Sequence, residues 1–231
     1  MPQNLEIERK FVVNPHHPEY QKIHSDISAQ RLVQSTIYKE SGYKLRIRMV
    51  EDIATGARSS FFCFKVTRKK WDHTDPSLRD EYEWPVMDRN ALYMMIGHGE
   101  ISKLRREWTD ESWLHFAIDE YEWLNTGIIT ADIEMTSPDH AFTKPAWCGW
   151  EVTADKRLSN STLQESATTF STWTAEQRQW YTSLETGEGI SVWPNHDVKV
   201  EKKKTFFHRL KKKKLDRAPV AISSTIRIRS L

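Results

Sequence analysis

Apolar and charged positions alternate along much of the first 135 residues. Leu5, Ile7 and Phe11 alternate with Glu6, Glu8 and Lys10, and Leu45, Ile47 and Met49 with Lys44, Arg46 and Arg48. The same phase recurs with Tyr82 and Trp84 against Arg79, Glu81 and Glu83, and with Leu104 and Trp108 against Lys103 and Arg105. Ile118 adjoins Asp119, and Ala131, Ile133 and Met135 alternate with Asp132 and Glu134. Residues 61–67 are β-prone and carry Lys65. Successive side chains of a strand point to opposite faces, so each stretch predicts an antiparallel strand with one apolar and one charged face. Helices are expected over 18–27, over 88–96 with Asp88 as its cap, and more weakly over 159–169. Ala91, Leu92, Met95 and Ile96 give the second an apolar stripe.

The order repeats coarsely. Glu6 and Glu8, a helix, Arg46 and Arg48, then Lys65 make one strand–helix–strand–strand unit; Glu81 and Glu83, a helix, Lys103 and Arg105, then the Asp119 and Asp132–Glu134 strands make another. Two such units fused can close a sheet into a barrel.

Composition removes several classes. The 231 residues are 38% hydrophobic and 29% charged, and no apolar run approaches the ~18 residues of a spanning helix. The start lacks the apolar core of a secretory signal, and two cysteines make neither a disulfide framework nor a four-ligand zinc site, so a cytoplasmic protein with reduced thiols is expected. The net charge of +2 hides a split: residues 199–231 hold a balance of +10, leaving −8 on the rest. The nine histidines lack metal-ligand spacing, and surface or capping roles are expected of them. Most tryptophans sit on strands or strand ends and are expected in the core or its cover.

The charged faces carry the chemistry. One such face is ordinarily a solvated sheet surface, but several bearing paired carboxylates or paired cations two residues apart would line one chamber with acidic and basic walls. Paired carboxylates suit Mg²⁺ or Mn²⁺, and Arg and Lys suit phosphate oxygens. Together they suit phosphoryl transfer on a chain of phosphates. No GxGxxG or GKS/GKT loop is present.

The opening EIERKF (6–11) carries E-x-E-x-K, and LRIR (45–48), Lys65, RDEYEW (79–84), KLR (103–105), AIDEYEW (117–123), ADIEM (131–135) and WCGWEVTADKRLSN (147–160) follow in order. Over about residues 4–165 this resembles the CYTH superfamily, the triphosphate tunnel metalloenzymes, and most the bacterial inorganic triphosphatases. The resemblance implies an α+β fold, an eight-stranded antiparallel closed β-barrel with covering helices, over 1–165. It implies Glu6, Glu8, Asp119, Asp132 and Glu134 as metal ligands, Glu81 or Glu83 as the acid that orients the attacking water, and Lys10, Arg46, Arg48, Lys65, Lys103, Arg105 and Arg157 as phosphate-binding cations. Arg79 matches a wall position. The family's second strand reads Q-G-Y-L, with a Tyr that partners the signature Lys; here Gln34-Ser35-Thr36-Ile37 puts Thr36 there, and Tyr38, two residues on, is expected to face the same way and substitute. The last acidic pair begins with Asp132 instead of Glu, and the closing Arg-Tyr is Arg157-Leu158.

Residues 166–231 lie outside the resemblance. A helix is expected over 170–185, and the Lys-rich remainder reads as a solvated tail, a contact for an anionic partner such as nucleic acid or membrane phosphate, or a piece packed on the body. The expected function is metal-dependent hydrolysis of a triphosphate, inorganic tripolyphosphate first. The alternatives are a nucleotidyl cyclase, a nucleoside or thiamine triphosphatase, and a non-catalytic polyphosphate- or nucleotide-binding module.

Overall fold

The computed structural model describes residues 5–40, 42–70, 73–135, 137, 140–165 and 169–187; the side chains of 5, 6, 67–70 and 73–79, and the Lys-rich residues 199–231, lie outside the description. The strands are β1 (Leu5–Val13), β2 (Gln30–Glu40), β3 (Tyr43–Asp52), β4 (Arg58–Lys70), β5 (His73–Pro85), β6 (Ile101–Thr109), β7 (His115–Tyr121), β8 (Ile129–Glu134) and β9 (Cys148–Glu151). The helices are α1 (Pro18–Asp26), α2 (Asp88–Met95), α3 (Asn160–Leu163) and α4 (Ala175–Glu185). The two repeats appear as β1-α1-β2-β3-β4 and β5-α2-β6-β7-β8.

The expected eight-stranded closed barrel is corrected. The strands form one nine-stranded antiparallel sheet, β5-β4-β3-β2-β6-β7-β8-β1-β9. Among the described residues β5 pairs with β1 over Leu5–Ile7 against Leu78–Asp80, and further along β9 pairs with β1 instead, at Phe11 and Val13. One edge of β1 is thus shared between two strands, so the sheet curls without closing along its length.

The apolar face is covered by helices. Tyr20 and Ile23 of α1 pack with Phe11, Phe116, Ile118, Ile133 and Trp147, and Ala91 and Met95 of α2 pack on Ile47, Val33, Met49 and Phe62. The start of α1 is capped by His17, whose Nδ1 accepts from the Glu19 N–H. Asp88 is not the cap of α2: Met87 holds that position, and Asp88 instead accepts a hydrogen bond from the Ser60 hydroxyl at 2.6 Å.

A third core involves residues 169–187. Trp173, Trp180, Tyr181 and Leu184 gather with Val12, Ile101, Tyr121, Val152 and Leu158. α4 starts with a capping box between Thr174 and Gln177. Its C-terminal end lies against β9 at Gly149, where a Cβ would sit 2.1 Å from the Leu184 carbonyl oxygen. Val12, Ile101 and Tyr121 stand two residues along their strands from Lys10, Lys103 and Asp119, so this cluster closes one end of the charged face.

Candidate functional site

Opposed residues of antiparallel strands share a face. Glu8 opposes Glu134, and Lys10 opposes Asp132. Asp119 opposes Thr130 on β8 and Arg105 on β6. On the other half Arg46 opposes Cys63, Cys63 opposes Glu83, and Lys65 opposes Glu81. Gln34 opposes Arg48, and Thr36 opposes Arg46. The register therefore places Glu8, Lys10, Arg46, Arg48, Lys65, Glu81, Glu83, Lys103, Arg105, Asp119, Asp132 and Glu134 on the face turned away from α1 and α2. Glu6 opposes Arg79 in the backbone pairing, and both side chains lie outside the described residues. Arg157 stands on a 3₁₀ turn after β9, bound to Asp155 and stacked over the Trp180 ring with its Cζ 4.2 Å from the centroid.

Tyr38 does not substitute for the absent Tyr. A bulge between Thr36 and Tyr38 inserts one residue, Tyr38 then opposes Leu45, and its side chain is half exposed with its hydroxyl on Glu40. One extra residue flips the phase of a strand.

The cations of the face are paired with its acids. Glu81 accepts from Arg46 at 2.7 Å and lies 2.6 Å from Lys65 Nζ; Glu83 accepts from Arg48 at 3.0 Å and from the Cys63 thiol at 3.0 Å. Arg105 grips Asp119 with two bonds, 2.7 and 2.8 Å, and Lys103 contacts the same carboxylate. Lys10 Nζ lies 2.7 Å from Asp132 Oδ1 and donates to Oδ2 at 2.9 Å. Further out, Glu107 holds His115 at 2.8 Å.

Titration follows burial and neighbours. Burial opposes the Asp119 charge, but Arg105 and Lys103 outweigh it and hold the carboxyl well below the usual range. One carboxylate serving two buried cations leaves Lys103 short of counter-charge; burial and then Arg105 lower its ammonium pKa against the pull of Asp119. Burial also opposes the Lys10 charge, and Asp132, Glu8 and Asp119 help to raise its pKa. Asp132 is pushed up by burial and then by Glu8, against Lys10. The Cys63 thiol is pushed up to about 11, mainly by burial, which suits a neutral wall residue rather than a nucleophile.

The acids fit a hard divalent cation in donor type and in strain. Glu8 and Asp132 are both 8% exposed, and the Glu8 charge adds to burial in raising the Asp132 pKa. A divalent cation between such carboxylates relieves that cost. Asp119, by contrast, is wholly engaged by Lys103 and Arg105. Sequence reasoning overlooked Gln34, Glu107 and His115 on this face; their register with recognised site residues was the available signal.

No family model matches the chain. It is 30% identical over 159 residues to the inorganic triphosphatase of Acetivibrio thermocellus, covering 68% of this chain and 92% of that one. Among solved structures it is similar to the inorganic triphosphatase NE1496, with 23% identity, coverage of 69% of this chain and 93% of that one, and a TM-score of 0.45. It is also similar to the putative adenylyl cyclase HpAC1 from Hippeastrum, with a dominant triphosphatase activity: 17% identity, 58% and 81% coverage, TM-score 0.38.

Proposed function

The chain belongs to the CYTH-type inorganic triphosphatase family and is a triphosphate hydrolase; from that premise we propose that inorganic tripolyphosphate is its substrate, bound along the charged face. The observation that carries the reading is the array of cations on one face of the sheet, Arg46, Arg48 and Lys65 on β3 and β4 and Lys10, Lys103 and Arg105 on β1 and β6. Such an array recognises phosphate oxygens and uses nothing of a base or sugar.

The family is metal-dependent, and we assign Mg²⁺ or Mn²⁺ to Glu8, Asp132 and Glu134, with Glu6 and Asp119 as the remaining acids of the set. The bound cation would supply charge neutralisation at the transferred phosphoryl group. The side chains do the rest. Arg46, Arg48, Lys65, Lys103 and Arg105 hold the phosphate chain, with Arg157 at the plugged end, and Lys10 brings a fixed positive charge beside Asp132. Glu81, paired with Arg46 and Lys65, would accept a hydrogen bond from the attacking water and aim it in line. Glu83 serves Arg48 in the same way and is the second candidate.

The test is phosphate release from tripolyphosphate, ATP, GTP and thiamine triphosphate with Mg²⁺ and with Mn²⁺, with product analysis. Tripolyphosphate should be hydrolysed fastest, and Glu81→Gln should cut kcat by roughly a hundredfold or more, as the loss of a positioned acid–base group does. Faster turnover of a nucleotide, or cyclic nucleotide with pyrophosphate as products, refutes the substrate. Normal turnover in Glu81→Gln together with Glu83→Gln refutes the site.

Two further proposals concern setting. Cys63 and Cys148 are buried free thiols, in keeping with a cytoplasmic protein. No helix among the described residues is long and apolar enough to cross a membrane. The Lys-rich segment 199–231 is proposed as a contact for nucleic acid or membrane phosphate, separate from the chemistry. A chain ending at Val198 should keep tripolyphosphate hydrolysis and lose salt-sensitive binding to polyanions. Loss of hydrolysis in a folded truncate would put the tail in the active site.

A further inference from the structure

One block of the charged wall has unused hydrogen-bonding groups. Gln34 is 1% exposed, and neither its amide nitrogen nor its amide oxygen has a partner. The Thr36 hydroxyl, Arg46 Nε and Arg48 Nε are likewise buried and unpartnered. These four residues are neighbours by register, Gln34 opposite Arg48 and Thr36 opposite Arg46. Arg46 and Arg48 spend one terminal nitrogen each on Glu81 and Glu83, and their Nε groups are left without an acceptor.

A buried, unpartnered amide is costly, and native structures seldom hold one, still less four unfilled groups side by side. β2 is locked in place there rather than loose: the Thr36 N–H donates to Gln164 Oε1 at 2.7 Å, and the Ser35 hydroxyl donates to the Gly99 carbonyl at 2.6 Å. The vacancy in partners therefore belongs to the side chains on the charged face. Each residue offers a donor, Nε2 of Gln34, Oγ1 of Thr36 and Nε of both arginines. Four donors on one patch match an acceptor-rich group with no donors of its own.

We propose that Gln34 and Thr36 are substrate-contacting residues that complete, with Arg46 and Arg48, a four-donor cradle for one phosphoryl group of the triphosphate. The inference rests on the triphosphatase reading and deepens it. The Gln34 amide donates to a non-bridging phosphate oxygen, and its carbonyl accepts from water in the bound state. Thr36, at the position where the family carries Tyr, gives this chain a short hydroxyl aimed at the phosphate.

The test uses the full chain with Gln34→Leu and Thr36→Val, near-isosteric changes that remove only the polar groups. Steady-state kinetics on tripolyphosphate with Mg²⁺ are paired with the melting temperature of the free enzyme. Hydrogen bonds to charged groups are worth enough that kcat/KM for Gln34→Leu should fall roughly ten- to hundredfold, and Thr36→Val in the same direction. The free variants should melt no lower than the parent, because a buried unpaired group has been removed. A residue that merely supports the fold behaves the opposite way, losing melting temperature and keeping kcat/KM. An unchanged kcat/KM, or a loss accompanied by a lowered melting temperature, overturns the inference while the parent's tripolyphosphatase activity leaves the family reading standing. A parent that hydrolyses another triphosphate instead is tested on that substrate by the same criterion. A parent inert to every triphosphate overturns both.

Discussion

Asp119→Asn separates two roles for the most buried acid of the site. Asp119 is fully buried; Arg105 holds it with two bonds and Lys103 contacts it. Removing its charge leaves Lys103, 2% exposed, beside Arg105 with the charge of Asp132 but no carboxylate of its own in contact. Breaking a buried ion pair by deleting one partner costs about 3–5 kcal/mol. For a chain of this length each kcal/mol moves the melting temperature by about 2–4 °C, so the metal-free variant should melt roughly 6–20 °C below the parent. Tripolyphosphate should close much of that gap, because phosphate oxygens take the place of the carboxylate beside Lys103 and Arg105, and tight ligand binding adds stability by mass action. The assay is thermal melting in EDTA, with and without tripolyphosphate. If Asp119 served chiefly as a metal ligand, the metal-free variant would melt with the parent and the deficit would appear only on adding Mg²⁺. That pattern, or a deficit that tripolyphosphate leaves untouched, refutes the counter-charge role.

Three further outcomes are expected. Gly149→Ala places a Cβ 2.1 Å from the Leu184 carbonyl oxygen and 2.8 Å from that of Glu185; displacement of α4 should cost about 1–3 kcal/mol in urea unfolding, and unchanged stability would contradict the close approach. Gln164→Ala strips the Thr36 N–H of its acceptor and the His98 carbonyl of its donor, and should cost about 1–3 kcal/mol in the same assay; an unaffected midpoint would show that water replaces the side chain. Burial pushes the Glu185 carboxyl up from 4.5 to about 7, so ionisation works against the fold. Its penalty is absent below about pH 4.5, grows as pH rises towards 7 and is complete above it. Glu185→Gln should therefore match the parent at pH 4 and exceed it at pH 8 by at most about 1 kcal/mol, discounted for partial exposure. A gain confined to low pH would reverse the sign and refute the assignment.

Period-two alternation made the charged strands readable, because the apolar partners of Glu8, Arg46, Lys103 and Asp132 all had to face the helices. The E-x-E-x-K opening and the later motifs then ordered those strands. What escaped the reading depends on backbone detail that residue type does not record. The bulge before Tyr38 leaves no mark in QSTIYKE, where the polar run Gln34-Ser35-Thr36 does not show which residue faces which side. Trp113 and Trp123 are exposed turn residues with φ of 66° and 55°, although their neighbours are strand-like. Trp84 and Trp150 are also exposed, so the tryptophans serve the core less than expected; Trp147, Trp173 and Trp180 are buried. Closure failed for a topological reason: β9 takes the part of the β1 edge that β5 would have needed.

The pairing pattern also orders the steps of substrate binding under the proposed function. Lys10, Arg46, Arg48, Lys65, Lys103 and Arg105 all have carboxylate partners in the ligand-free chain. Phosphate oxygens must displace those partners before they gain the full charge of the wall, and separating buried ion pairs is expensive unless new partners arrive together. The donors of Gln34, Thr36 and the two arginine Nε groups carry no such cost, since nothing occupies them. A phosphoryl group can therefore dock on the β2–β3 wall first, with Glu81 and Glu83 still in place. Exchange at Arg46 and Arg48 then leaves Glu81 on Lys65 and Glu83 on the Cys63 thiol, each with acceptor capacity next to the docked phosphate, which is where an acid must stand to aim a water at phosphorus. The acids thus act twice, as counter-charges to the arginines of the charged face and as acceptors at the reacting centre once phosphate has taken their place on Arg46 and Arg48.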